Sequence, residues 1–193
     1  YPKGNLALIN SFNLKQLGFR VYTGYVVSDR FASISSYFHN LLTGQDLVDM
    51  RPIVKKGGEL AGNVFWKELT ALKARWELVE YLPNQYINIR RLNANGVTVS
   101  DLEDYCTSVA AQVRPGDYFT IASLQKDGFS HPLDETGFDD WFFACVLAED
   151  HSRFTVRRMG KTKLFYRGHK MFTLLDFLRW LLEPVGKMDI FEL

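Results

Sequence analysis

Apolar residues recur three and four places apart in two stretches of the first half of the chain, a spacing that belongs to amphipathic helices. In the first, Phe31, Ile34, Phe38, Leu41 and Leu42 share a face, with Ser28 or Asp29 as the cap and Gly44 near the end. In the second, Phe65, Leu69, Leu72, Trp76 and Val79 predict a helix over about 64–80, with Pro83 just past it. Residues 19–27, rich in aromatic and β-branched side chains, predict a strand. Residues 51–63 hold Pro52, Gly57, Gly58 and Gly62 and read as a loop.

Residues 86–92 and 96–99 alternate around Asn93, Asn95 and Gly96, a hairpin signal because Asn and Gly tolerate positive φ. Ser100 and Glu103 have capping-box spacing and predict a helix over about 101–112, stopped by Pro115 and Gly116. The texture then changes. Residues 118–122, 141–147, 154–158 and 163–166 read as strands separated by turns containing Gly and Asp. A last helix over about 173–183 starts at Thr173 and stops at Pro184. Between Leu174 and Leu182 only Asp176 and Arg179 are charged, so this helix is apolar on most of its circumference. Such a helix is buried between layers or docked on a partner, and burial within the chain is the expectation. The pattern predicts an α+β fold: a mixed N-terminal half, 1–112, and a small β-rich half, 113–193, closed by the apolar helix. One continuous domain is also compatible with it.

The β-rich half resembles the small SH3-like barrels of the Tudor class. The resemblance rests on a turn at Arg114, Pro115, Gly116 and Asp117 entering a strand at Tyr118, and on a Trp-x-x-Ala-x-Val run at Trp141, Ala144 and Val146. An alternating strand with Phe154 and Val156 follows. It covers residues 114–166, and the long acidic stretch 125–140 stands where such barrels have a short loop. The resemblance implies an SH3-like β-barrel that binds protein or nucleic acid. Some of these barrels use an aromatic cage around a methylated cation, and matching positions offer Tyr118, Trp141 and Phe143 as walls.

Composition adds that the chain folds. Of 193 residues, 47% are hydrophobic and 15% aromatic, which argues against disorder. No window is long and apolar enough for a membrane span and no signal segment opens the chain, so an intracellular protein, nuclear or cytoplasmic, is expected. The first residue is Tyr1, which fits a processed form or a piece of a larger polypeptide or complex. Cys106 and Cys145 lie far apart and read as two buried thiols, with a single disulfide as the alternative.

Charge changes the picture more. The formal net charge is only +1, yet residues 127–150 hold seven Asp or Glu and no Lys or Arg, while residues 151–170 hold seven Lys or Arg and no acid. A block of one sign makes a local field that steers charged partners. On the expected strand, Phe154 and Val156 point one way and Arg153, Thr155 and Arg157 the other, with Arg158, Lys161, Lys163, Arg167 and Lys170 extending the charge. Cations on one exposed face bind phosphates, and Tyr166 and His169 stand near enough to stack on bases.

The function these residues predict is a non-catalytic interaction module or assembly subunit. It would bind an acidic protein segment or nucleic acid through the 153–170 surface. Arg153, Arg157, Arg158, Lys161 and Lys163 supply the contacts, and Tyr118 and Trp141 the aromatic recognition. The alternative is a metal-dependent hydrolase or nuclease built on His131, Asp134, Glu135, Asp139 and Asp140, since imidazole and carboxylates together hold a divalent ion that activates water. A third reading makes the acidic and basic blocks an internal clasp. Neither cysteine has a histidine beside it in sequence, and no phosphate loop or other cofactor motif is complete.

Overall fold

Ser33, rather than Ser28 or Asp29, opens the first amphipathic helix. Its hydroxyl accepts from the Ser36 N–H at 3.0 Å, and the Ser36 hydroxyl accepts from the Ser33 N–H at 2.9 Å, so two donors of the first turn are satisfied reciprocally. The computed structural model describes residues 10–22 and 25–183, and the side chains of all of these but Tyr25 and residues 53–61. Thr23 and Gly24 of the expected first strand, and the expected stop at Pro184, lie outside the described residues. The protein is α+β, with antiparallel sheets, and the chain divides into two compact units, residues 1–96 and 97–193. Among the described residues no helix is long and apolar enough to cross a membrane.

The first unit begins with helix α1 (Ser11–Gln16) and strands β1 (Phe19–Tyr22) and β2 (Tyr25–Ser28), which pair antiparallel from Phe19↔Ser28 to Tyr22↔Tyr25. The single strand expected over 19–27 is therefore two. Helix α2 (Ile34–Thr43), strand β3 (Leu47–Asp49), helix α3 (Arg51–Ala74), strands β4 (Leu78–Leu82) and β5 (Gln85–Asn88) and helix α4 (Ile89–Ala94) complete it. The sheet order is β3-β5-β4. Phe38 and Leu42 of α2 meet Phe65, Leu69 and Leu72 of α3 in the core.

Three expectations change here. Residues 51–63 are helical, because Pro52 sits in a first turn where its missing N–H costs nothing, and the break comes only at Gly62 (φ 49°, ψ −167°). The helix expected through residue 80 ends at Ala74; Trp76 turns the chain at φ 50°, and Val79 joins β4. The hairpin lies one element earlier than expected. Asn84, at φ 60°, carries the turn between β4 and β5, whereas Asn95 and Gly96 close α4.

The second unit holds helix α5 (Val99–Gln112), strand β6 (Tyr118–Phe119), helices α6 (Ile121–Lys126) and α7 (Asp140–Ala148), strands β7 (Phe154–Met159) and β8 (Thr162–Arg167), and helix α8 (Leu174–Leu182). Strands 154–158 and 163–166 and the Thr173 cap stand as expected. The cap of α5 is Thr98 with Asp101, two residues before the expected box. Thr120 and Ser123 form a reciprocal cap that ends β6 after two residues and starts α6. The run 141–147, expected as a strand, is helical. It is continuously apolar and so carries neither period, and Asp139 caps its first turn. Residues Phe142 to Leu147 are all buried, as in a helix packed on every side.

The second unit begins at Val97, so the division of the chain falls ahead of α5 rather than after residue 112. Its sheet has three antiparallel strands in the order β6-β8-β7. No closed barrel is found among the described residues, and the Trp141 to Val146 segment that carried the Tudor-class resemblance belongs to α7. One sheet face bears Phe119, Phe154 and Phe165, with Phe119 stacked on Phe165 at 5.3 Å. The other bears Tyr118, Leu164 and Tyr166, covered by Phe172 and by Phe177 and Trp180 of α8. No residue of α8 is fully buried, and Leu175 is 71% exposed, so the helix lies on its sheet rather than between two layers.

Candidate functional site

The β7–β8 register sorts the basic block by face. Phe154↔Arg167, Val156↔Phe165 and Arg158↔Lys163 are direct partners on one face; Thr155↔Tyr166 and Arg157↔Leu164 lie on the other. Arg157 and Arg158 therefore point to opposite sides of the sheet. Met159↔Thr162 closes the hairpin around Gly160 and Lys161, and Gly160 at φ 59° takes the first place in that two-residue turn.

Helix α7 brings Trp141 against the Arg158–Lys163 side. The Asp139 carboxylate accepts from the Trp141 and Phe142 N–H groups at 3.1 and 3.3 Å, which sets where the helix begins and where the indole projects. The Arg158 guanidinium lies 5.2 Å and the Lys163 ammonium 5.1 Å from the Trp141 ring centroid, within the range of a cation–π contact. Arg158 also donates to the Gly160 carbonyl at 3.1 Å, and Lys163 to the Cys145 Sγ at 2.9 Å. Cys145 stands four residues after Trp141, on the same side of α7. Beside them is a cavity of about 90 Å³ lined in part by Trp141, Ala144, Lys161 and Lys163.

Among the described residues, no carboxylate lies at ion-pair distance from Arg158, Lys161 or Lys163. Arg158 and Lys163 thus share the indole face, while Lys161 and Lys163 line the cavity beside it together with Asp140, which is not at ion-pair distance from any of the three. Arg153 differs. Its guanidinium donates to the buried Asp150 carboxylate at 2.6 Å, and that bond holds it above its ordinary pKa. Arg157 donates to the Phe172 carbonyl at 3.2 Å on the other face. Tyr118 is 8% exposed and packed among Tyr166, Phe172, Phe177 and Trp180, and burial raises its hydroxyl pKa. It is a core residue. Phe143, the third aromatic of the implied cage, is 2% exposed and packs on Tyr105 at 5.0 Å.

The acidic stretch does not converge on one point. His131 Nδ1 accepts from the Leu133 N–H at 3.2 Å, its Nε2 faces Asp104 at 3.1 Å, and the Asp134 carboxylate accepts from the His131 N–H at 2.8 Å. Asp139 caps α7, and Asp140 accepts from Gln125 at 3.2 Å. Glu135 lies exposed in the 3₁₀ turn Pro132–Thr136. Among the described residues no group of three or more His, Cys, Asp or Glu side chains is placed to hold a metal ion. Each acid named here other than Glu135 is occupied by a cap or a local bond.

A larger cleft, about 580 Å³, lies on the α8 side and is lined by Tyr118, Leu164, Phe177 and Trp180 among others. Arg114 and Lys126 line it together with Asp117 and Asp127, so it presents no field of one sign. The smaller cavity beside Trp141 also has an acid in its lining, Asp140 against Lys161 and Lys163, and what marks that side is the Arg158–Lys163 pair held over one indole. The Lys163–Cys145 contact was not legible from spacing, because Cys145 on a strand would not meet the turn side of β8. The signal that finds it is Asp139 ahead of an apolar run, which places Trp141 and Cys145 one helical turn apart.

No family model matches the chain, and no curated protein or solved structure is found similar to it.

Proposed function

We propose that this α+β protein is a non-catalytic interaction module that holds an anionic group of a partner, the phosphate of a nucleic acid or the carboxylates of an acidic protein segment, on Arg158, Lys161 and Lys163. The observation that carries this reading is the pairing of Arg158 and Lys163 over one indole with no acid at ion-pair distance among the described residues. Like charges directly opposite on a sheet cost stability. A cation–π contact returns about 0.5–1 kcal/mol per cation at an exposed site, which offsets that cost without neutralising either charge. The cations are then held in place for a ligand, with little rotamer entropy left to lose on binding. Of the five cations expected to make the contact, Arg153 and Arg157 are engaged within the fold and leave it to Arg158, Lys161 and Lys163.

The test is binding of the whole chain to labelled single- and double-stranded nucleic acid, and to an oligoglutamate peptide, across a salt series. The reading expects saturable binding that weakens with salt and is lost in Arg158→Glu with Lys161→Glu, variants that leave the Cys145 contact alone. Failure of every probe to bind at low salt overturns it. The hydrolase alternative gains no support from the placement of His131, Asp134, Glu135, Asp139 and Asp140.

A further inference from the structure

We propose that Cys145 and Lys163 form a peroxide-responsive modification site, in which oxidation of the thiol is followed by a covalent S–N link between α7 and β8. The two side chains come from elements 18 residues apart, and Lys163 Nζ lies 2.9 Å from Sγ. A cation at this distance stabilises the thiolate, which is the form of cysteine that attacks a peroxide. The cavity of about 90 Å³ beside the pair is lined by Lys163 and by Ala144, the chain neighbour of Cys145. A water molecule's share of the liquid is about 30 Å³, so the cavity admits hydrogen peroxide.

The chemistry balances in two steps. Sulfur attacks one peroxide oxygen: the S–O bond forms, the O–O bond breaks, and hydroxide leaves with the proton of the ammonium as water. Sulfur has lost two electrons and the peroxide has gained them, giving the sulfenic acid. Sulfenic acids condense with a nearby thiol or nitrogen. Cys145 is 2% exposed, and Nζ of Lys163 is a nitrogen held within 2.9 Å of its sulfur. The amine lone pair attacks sulfur, the S–N bond forms, the S–O bond breaks, and a second water leaves. In sum one thiol, one amine and one hydrogen peroxide give a sulfenamide and two waters. The product nitrogen is uncharged, so the cations on the Trp141 ring fall from two to one, Arg158 alone. That last consequence rests on the binding reading above; the link itself does not.

Cys106 is buried, as Cys145 is, and burial, with the Asp150 charge second, pushes its thiol up to about 12, so it stays protonated at neutral pH. The experiment is treatment of the whole chain with hydrogen peroxide, denaturation in an alkylating agent, and peptide mapping by mass spectrometry. The expected product is one peptide pair joining Cys145 to Lys163, lighter by two hydrogens and released by a thiol reductant. It should persist in Cys106→Ser, which removes the alternative of a disulfide, and disappear in Cys145→Ser and in Lys163→Arg. Three results overturn the proposal: Cys145 still alkylated after peroxide, Cys145 carried to the sulfinic acid without a link, or a Cys106–Cys145 disulfide in the unmodified chain. The wild-type map decides the matter even if a variant fails to fold. Because the readout is mass, it stands or falls separately from partner binding.

Discussion

Arg158 and Lys163 are direct cross-strand partners, and both place their charge over the same ring, that of Trp141. Two like charges opposite each other on an antiparallel pair repel. The indole quadrupole attracts both, so the ring is what makes the pair tolerable. A double-mutant cycle between Trp141→Phe and Arg158→Ala should return a favourable coupling below about 1 kcal/mol, the difference between the indole and phenyl faces, read from urea midpoints. Phe keeps the apolar body but has the weaker face, and it removes an indole N–H that is enclosed without an acceptor among the described residues. The single variant Trp141→Phe should therefore cost little stability. A coupling of zero in the same cycle made with Trp141→Leu, which removes the aromatic face, would mean that the ring does not hold the guanidinium.

Salt dependence separates the residues that share the basic block. If three phosphates are engaged on duplex DNA, the slope of log K against log salt is about −0.9 per contact, or about −2.7 in all. Arg158→Ala and Lys161→Ala should each flatten that slope by about 0.9. Arg157→Ala should leave it unchanged, since Arg157 is on the opposite face and occupied by the Phe172 carbonyl. Equal effects of Arg157 and Arg158 would contradict the division by face.

That division shows where the sequence stops being readable. Alternation along 154–158 correctly places Phe154 and Val156 together, because a half-buried strand displays its period directly. The amphipathic α2 is legible from its apolar spacing though not in its cap, which is Ser33, and α8 is legible from the cap at Thr173. Residues 141–147 are not. A segment buried all round has no polar side to reveal its period, so the only clue is Asp139, a single cap residue within a run of acids. The candidate site depends on that helix: Arg158 and Lys163 are recognisable in sequence as basic strand residues, but their meeting over Trp141 is not. Tyr118 shows the converse limit, since an aromatic on a two-residue strand gives no sign in sequence of which side will be covered.

Glu68 makes the first unit sensitive to acid. The His39 ring at 2.9 Å, with the Ser35 hydroxyl also donating at 2.9 Å, holds the Glu68 carboxyl below its ordinary value of 4.5. A carboxyl with a depressed folded-state pKa contributes stability that is present above 4.5 and lost as pH falls through the folded value. In that window the unfolded chain takes up a proton that the folded chain does not. Urea midpoints should fall more steeply with acid in the wild type than in Glu68→Gln. Parallel curves would remove Glu68 from the account.

Helix α8 packs on its sheet through Phe177 and Trp180. Leu175, 71% exposed, touches little, so Leu175→Lys should change stability by less than about 0.5 kcal/mol. Phe177 and Trp180 pack on Tyr118 at 5.6 and 5.3 Å. Tyr118→Ala removes the ring that all of them share and should cost about 3 kcal/mol in the same measurement. If Leu175→Lys proved the more damaging, the outer face of α8 would be covered in solution.

Asp139 distinguishes a helix cap from a metal carboxylate. Its carboxylate accepts from two N–H groups at the start of α7, and Asn can supply the same acceptor. Asp139→Asn should therefore fold with nearly wild-type stability, whereas Asp139→Ala should lose about 1 kcal/mol. Because α7 carries Trp141, the Ala variant should also weaken partner binding while the Asn variant preserves it. A divalent-ion ligand would behave otherwise: Asn would abolish an ion-induced rise in melting temperature as completely as Ala. Chemical denaturation of the two variants, repeated with and without added divalent ion, reads both expectations from one set of samples. Asn matching Ala in loss of stability would sink the cap assignment, and with it the reason for the position of the indole beneath Arg158 and Lys163.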